Sequence, residues 1–123
     1  MKGRVYSGVG EGARFVSLPW VKKQIEEKLS FSPYPGTLNI RLTRESTKLK
    51  EALAKAPGIR ILPPSGYYAG KLFKASLMSS ECAVVFPEIP LYPEDVIEAI
   101  SAENLRKKLN LVDGSLCEIE VMF

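Results

Sequence analysis

The chain of 123 residues contains no histidine. The absence of an imidazole excludes Ser-His-Asp and Cys-His nucleophilic catalysis and removes the ligand that many zinc sites use. The two cysteines, Cys82 and Cys117, lie far apart in the sequence, and neither belongs to a metal-ligand motif. We therefore expect both to be buried, small apolar side chains in a reducing compartment.

Long apolar runs are also missing. No stretch approaches the roughly 20 apolar residues that a membrane-spanning helix needs, and no apolar segment that would indicate a signal peptide follows Met1-Lys2-Gly3-Arg4. The sequence thus predicts a soluble, cytoplasmic protein without a membrane partner. The net charge of +3 is modest, and no basic tract is long enough to indicate nucleic-acid binding by itself. An anionic small ligand is compatible with this charge.

The composition is that of an ordinary globular domain, with 46% hydrophobic and 25% charged residues. Short alternating segments between Gly/Pro turns predict strands at 3–7, 37–42, 59–62, 72–77, 82–86 and 116–122. Helices are predicted after a Ser17 N-cap, over 46–56 and over 104–109, whereas 93–100 fits a helix or a strand. Many short strands without a βαβ rhythm favour a closed barrel with two or three short helices.

Two segments carry possible ligand-binding patterns. Three glycines at 8, 10 and 12 either form a backbone nest for phosphate or make a flexible hairpin connection. The turn at 33–36 leads into an alternating strand, on which Thr37 and Asn39 share one face. Their neutral oxygens suit Mg²⁺ beside a polyphosphate, although a strand with a polar outer face has the same pattern. The pair Tyr67-Tyr68 either stacks on a planar ligand or covers the core, and the core interpretation is slightly favoured.

Five motifs occur in a fixed order along nearly the whole chain. They are Ser7-Gly8-Val9-Gly10-Glu11-Gly12, Pro33-Tyr34-Pro35-Gly36-Thr37-Leu38-Asn39, Tyr92-Pro93-Glu94-Asp95-Val96-Ile97-Glu98, Asn104-Leu105-Arg106 and Leu111-Val112-Asp113-Gly114. This ordered set resembles the archaeal CTP-dependent riboflavin kinases. The resemblance implies a mainly β fold with short helices, a six-stranded Greek-key cradle-loop barrel. It also implies a single catalytic domain over 1–123, without the N-terminal helix-turn-helix domain that some members carry.

The resemblance further implies a reaction: transfer of the γ-phosphoryl group of CTP to the 5′-hydroxyl of riboflavin, which gives FMN and CDP. The cofactor would be Mg²⁺, bound by Thr37 and Asn39, in a monomer that takes no nucleic acid. Nucleotide-binding residues would be Val9, Gly10, Glu11, Gly12, Ala13, Arg14, Glu103, Asn104, Leu105 and Arg106. Glu98 would face the ribityl end of the flavin. Pro90 occupies the position of a flavin-contacting threonine in the family, and it has neither a hydroxyl nor an N–H to make that contact.

Alternatives remain at several positions. Glu98 is either the general base or a residue that only orients the ribityl chain. Arg14 and Arg106 either contact phosphate or are solvated surface charges. For the whole chain, the rival hypotheses are a non-catalytic flavin- or nucleotide-binding barrel and a small nucleic-acid-binding barrel of the OB type.

Overall fold

The computed structural model describes residues 1–8 and 10–122. In chain order the elements are β1 (Lys2–Tyr6), α1 (Glu11–Ser17), α2 (Pro19–Leu29), β2 (Leu38–Leu42), α3 (Arg44–Lys55), β3 (Ile59–Ile61), β4 (Gly70–Leu77), β5 (Ser80–Pro87), β6 (Val96–Ile100), α4 (Leu105–Lys108) and β7 (Leu116–Val121). No helix in these two ranges is long and apolar enough to span a membrane.

Six strands close into an antiparallel barrel in the order β4-β5-β6-β2-β1-β7. The barrel closes because β7 pairs with the second half of β4, from Ala75 to Leu77. β3 pairs with the first half of β4, so it extends the sheet beside the closed ring. The mainly β, six-stranded barrel expected from the sequence is confirmed.

Two apolar layers fix the position of the helices. The barrel interior is filled by inward residues of all six strands, among them Val5, Ile40, Phe73, Val84, Ile97 and Ile119. A second cluster lies outside the wall, where Phe15 and Val16 of α1 and Val21 and Ile25 of α2 pack on Ile61, Leu72, Ala83, Val85 and Ile100. β6 is therefore buried on both faces. Its residues do not alternate in polarity as a half-exposed strand does, which is why the sequence left 93–100 ambiguous.

Three local predictions differ from the structure. Ser17 does not cap α2; it ends α1, and Leu18 occupies the N-cap position with Pro19 in the first turn. The helix predicted from residue 46 begins earlier, because the Thr43 side chain accepts a hydrogen bond of 3.2 Å from the Ser46 N–H. Tyr67 and Tyr68 are each 55% exposed, so they do not cover the core.

Both cysteines are buried and free, as predicted. Burial raises the pKa of the Cys82 thiol to about 11. The pKa of Cys117 is raised by the same cause. Neither thiol is therefore a reactive nucleophile at neutral pH.

Candidate active site

Glu98 is a buried carboxylate on the outer face of the barrel wall. It lies in β6, where its neighbours Ile97 and Ala99 point into the barrel. Its side chain is only 2% exposed, because α1 covers this part of the wall. In the sheet it stands opposite Asn39 of β2. A carboxylate is rarely buried to this extent unless hydrogen bonds compensate for its lost hydration.

Two hydroxyl groups provide that compensation. The Thr37 hydroxyl donates to Glu98 Oε1 at 2.6 Å, and the Tyr92 hydroxyl donates to Glu98 Oε2. Burial, reinforced by the neighbouring Glu98 carboxylate, raises the pKa of Tyr92 far above its ordinary value. Tyr92 thus remains a proton donor throughout the physiological pH range. Because one hydroxyl holds each oxygen, the carboxylate is fixed in one orientation.

Glycines let α1 and the segment before it approach these polar side chains. A Cβ on Gly12 would overlap the Glu98 carboxyl group. A Cβ on Gly8 would lie 2.8 Å from Asn39 Cγ, closer than ordinary packing permits. Gly10, with φ of 86°, is the N-cap of α1 and adopts a left-handed conformation that glycine accepts without strain. The predicted glycine loop is therefore partly a helix, and Gly8 and Gly12 leave the space that the Asn39 and Glu98 side chains occupy.

Thr37 and Asn39 carry the oxygen atoms that suit a hard cation. Thr37 immediately precedes β2 and Asn39 lies within it, so both project from the outer face, and both are half-buried. A hydroxyl that donates its proton to a carboxylate keeps its lone pairs free, and a carboxamide oxygen has two. No group of three or more His, Cys, Asp or Glu residues in the described ranges could hold a metal by itself. The donors present fit Mg²⁺ that receives its anionic ligands from a bound phosphate.

A first cleft, of about 200 Å³, opens on the Thr37 side of Glu98. It is lined by residues 34–38 and by Ala99, Ser101 and residues 103–106. Asn104 crosses the cleft, since its Nδ2 donates to the Tyr34 hydroxyl at 3.3 Å. Its Oδ1 caps α4 by accepting from the Lys107 N–H at 3.3 Å. The structure thus brings predicted residues Glu103, Asn104 and Arg106 next to Thr37, whereas the Leu105 side chain is buried in the core.

Arg106 ties three segments together. Its Nη2 donates to the Tyr6 carbonyl at 3.1 Å and to Asp113 Oδ1 at 2.7 Å. Asp113 also accepts a bond of 2.9 Å from the Ser7 hydroxyl. These two bonds, that of Arg106 first, lower the pKa of Asp113. Arg106 is consequently more than a solvated surface charge, because it orders the loops around the first cleft.

A second cleft, of about 320 Å³, opens on the Tyr92 side of Glu98. Lining residues include Lys50 of α3, Phe86 of β5, and Ile89 and Tyr92 of the following loop. Pro90 itself is exposed, but it lies between two residues that line this cleft. Thr37 lines the first cleft and Tyr92 the second, so the two residues whose hydroxyls hold Glu98 line different clefts.

The exposed aromatic residues form a third cleft of about 200 Å³. Trp20, Tyr67 and Tyr68 line it together with Glu11, Arg14, Phe15, Leu18 and Ile89. The rings of Trp20 and Tyr67 meet edge to face, with centroids 5.7 Å apart. Glu11 and Arg14 thus face the aromatic residues rather than the first cleft. Ala13 is half-buried on α1, and Val9, another predicted nucleotide ligand, lies outside the described residues.

The fold and the site define the class: a small closed β-barrel with a buried carboxylate whose two hydroxyl partners line separate clefts. A family model named CTP-dep_RFKase, with the description "Domain of unknown function DUF120", matches residues 5–121. The chain belongs to this CTP-dependent riboflavin kinase family, as the motif order indicated.

Similar archaeal proteins carry the name riboflavin kinase. The one from Pyrobaculum islandicum is 47% identical over 125 residues, covering 98% of this chain and 59% of the relative. That from Archaeoglobus fulgidus is 42% identical over 126 residues, covering 99% and 54%. That from Methanopyrus kandleri is 35% identical over 119 residues, covering 97% and 80%. The chain therefore spans little more than half the length of the first two of these relatives.

Proposed function

We propose that this barrel transfers the γ-phosphoryl group of CTP to the 5′-hydroxyl of riboflavin, giving FMN and CDP. Membership of the family supports the reaction. The structural observation that carries it is the position of Glu98, whose oxygens are bonded to hydroxyls from two separate clefts. A transferase that joins two substrates needs a polar group at the point where they meet.

The nucleotide occupies the first cleft in this proposal. Thr37, Glu103, Asn104 and Arg106 surround that cleft. Thr37 and Asn39 would hold Mg²⁺, which neutralises charge on the phosphates when bound. Arg106 contributes positive charge beside the cleft while Asp113 fixes its orientation.

Riboflavin occupies the second cleft, with its ribityl end directed to Glu98. The apolar rings of Phe86 and Tyr92 and the side chain of Ile89 offer surface for the flavin. Pro90 lies beside this cleft without a hydroxyl, so the flavin is positioned by other groups. Tyr92 is the residue that connects the flavin cleft to the carboxylate.

Glu98 accepts the proton of the attacking 5′-hydroxyl. The bond from the γ-phosphorus to the bridging oxygen of CTP breaks as a bond from that phosphorus to the riboflavin 5′-oxygen forms, and the proton passes to the carboxylate. Each oxygen of Glu98 already accepts one hydroxyl, but an ionised carboxyl group has about four acceptor sites. Positioning and charge neutralisation supply the larger part of catalysis in phosphoryl transfer.

The deciding experiment measures FMN formation from riboflavin and Mg²⁺ with CTP, UTP, GTP or ATP. We expect FMN with CTP and little with ATP. If FMN forms best with ATP, the riboflavin kinase reaction is supported and the assignment of CTP as the donor is wrong. A protein that binds flavin or CDP but forms no FMN with any donor would instead be a non-catalytic binding barrel.

A methyl group at position 12 should impair catalysis while the protein stays folded. In Gly12→Ala the new Cβ would collide with the Glu98 carboxyl group, so α1 or the carboxylate must move. We expect kcat to fall by at least about tenfold, since small displacements at a reacting centre are costly. Overpacking of this kind destabilises by about 1–3 kcal/mol, so the chain should stay folded in a thermal melt. Ser17→Ala, at the exposed end of the same helix, is the control and should keep its activity.

A further inference from the structure

We propose that Lys50 is a positioning residue for the second cleft, in which riboflavin would bind. Its ammonium group fixes residues 92–96 and, through Tyr92, orients the Glu98 carboxylate toward riboflavin. This inference rests on the proposed function, and it assigns a role to a residue that none of the sequence motifs contains.

Lys50 reaches the site from α3 as a buried side chain, only 7% exposed. Its Nζ donates to the Pro93 carbonyl at 2.7 Å and to the Val96 carbonyl at 2.7 Å. These carbonyls lie on either side of the turn that leads into β6, and Val96 is two residues before Glu98. An ammonium group has three N–H donors, and two of them hold this turn in place.

The same ammonium lies over two aromatic rings. Its Nζ is 5.0 Å from the centre of the Tyr92 ring and 5.5 Å from that of Phe86. Both distances are within the range of a cation–π interaction. Because the Tyr92 hydroxyl donates to Glu98, contacts run without a break from Lys50 through the Tyr92 ring to the carboxylate. Lys50 also lines the second cleft, so it can act on bound riboflavin and on Glu98 together.

The charge on Lys50 costs the folded protein stability. Burial lowers the pKa of Lys50 to about 8, although Asp95, Glu94 and Glu98 act in the opposite direction. Between pH 8 and the ordinary lysine pKa of 10.5 the unfolded chain holds more protons than the folded chain, so stability rises with pH over this interval. At neutral pH the fold therefore carries an unfavourable charge.

Several charged and titratable groups surround Lys50. They are Glu51 of α3, Lys71 of β4, Glu98 of β6, and Glu88, Tyr92, Glu94 and Asp95 of the segment between β5 and β6. Only a comparison of variants can separate the titration of Lys50 from theirs.

Lys71 provides a matched control. It is 8% exposed and lies 5.7 Å from the same Phe86 ring. Its Nζ donates to the carbonyls of Ala54 at 2.7 Å and Ala56 at 2.8 Å, which end α3. Lys71 thus resembles Lys50 in burial and charge. Its hydrogen bonds, however, are made to the C-terminal end of α3 and not to residues 92–96.

The test compares Lys50→Met with Lys71→Met in steady-state kinetics from pH 6.5 to 9.5. We expect Lys50→Met to lower kcat/KM for riboflavin by at least about tenfold, with KM for CTP changed less than twofold. The wild type and Lys71→Met should lose activity above a pH of about 8, as Lys50 loses its proton. The activity of Lys50→Met should be low and should not change with pH over that interval. Lys50→Arg, which keeps its charge, should recover part of the activity and should not lose it above pH 8.

Hydrogen exchange tests the positioning without any substrate. Lys50→Met should exchange amide protons faster across residues 92–96 than the wild type or Lys71→Met. If the wild type transfers no phosphoryl group, the proposed function is wrong. The role of Lys50 is still supported in that case if Lys50→Met binds flavin more weakly than the wild type while Lys71→Met does not. Unchanged exchange at 92–96, equal losses in the two variants, or a fall near pH 8 that persists in Lys50→Met would overturn the inference.

Discussion

Replacing Glu98 by glutamine should lower kcat by about 10²–10⁴-fold, the usual contribution of a positioned general base. Glutamine fills almost the same volume, so the packing beneath Gly12 is preserved. Its amide oxygen can still accept from one of the Thr37 and Tyr92 hydroxyls, and the other hydroxyl can accept from the amide N–H. The variant therefore removes the proton acceptor while most of the local structure remains.

The kinetic pattern of Glu98→Gln distinguishes the two roles of this carboxylate. A base predicts a large loss in kcat with KM for riboflavin changed less than about threefold. If the carboxylate only orients the ribityl chain, KM rises and kcat stays close to that of the wild type. Glu120→Gln, on an exposed position of β7, is the matched control for the loss of one negative charge. The base role fails if Glu98→Gln turns over at the normal rate when riboflavin is saturating.

The barrel was partly predictable because β1, β2 and β7 alternate between buried and more exposed residues. Leu38, Ile40 and Leu42 alternate with more polar residues, and the structure places all three in the interior. β6 was ambiguous for the opposite reason, because α1 and α2 cover its outer face and all five of its residues are buried. The pairing of β7 with β4 closes the barrel. Because it joins residues that are distant in the sequence, no local sequence pattern predicts it.

The components of the site were visible in the sequence, but their arrangement was not. Thr37 and Glu98 were singled out separately, and the structure shows that one donates to the other. The role of Gly12 depends on the space that Glu98 occupies on the outer face of the barrel wall, which no glycine pattern reveals. Lys50 was missed because it lies in a helix rich in lysine and glutamate, where the sequence predicts exposure. Only a tertiary contact, that with the turn before β6, identifies it.

Asn39→Ala should lower kcat/KM by about 10²–10³-fold, because a metal ion contributes several kcal/mol of charge stabilisation in phosphoryl transfer. The substitution removes atoms that pack against Gly8 and adds none. The barrel should therefore remain folded, since Asn39 lies outside the apolar core. The measurement is the rate of FMN formation as a function of Mg²⁺ concentration, with the folded state checked by a thermal melt.

Asn39→Asp is the informative partner of this variant, because it keeps an oxygen donor in the same place. If Asn39 binds the cation, the half-saturating Mg²⁺ concentration should rise in Asn39→Ala and stay near or below the wild-type value in Asn39→Asp. The aspartate also brings a negative charge beside Glu98, its neighbour across the β2–β6 pair, so it should recover only part of the rate. Normal turnover at low Mg²⁺ in a folded Asn39→Ala protein would remove Asn39 from the metal site. Thr37, which also holds Glu98, would then remain as the proposed protein ligand.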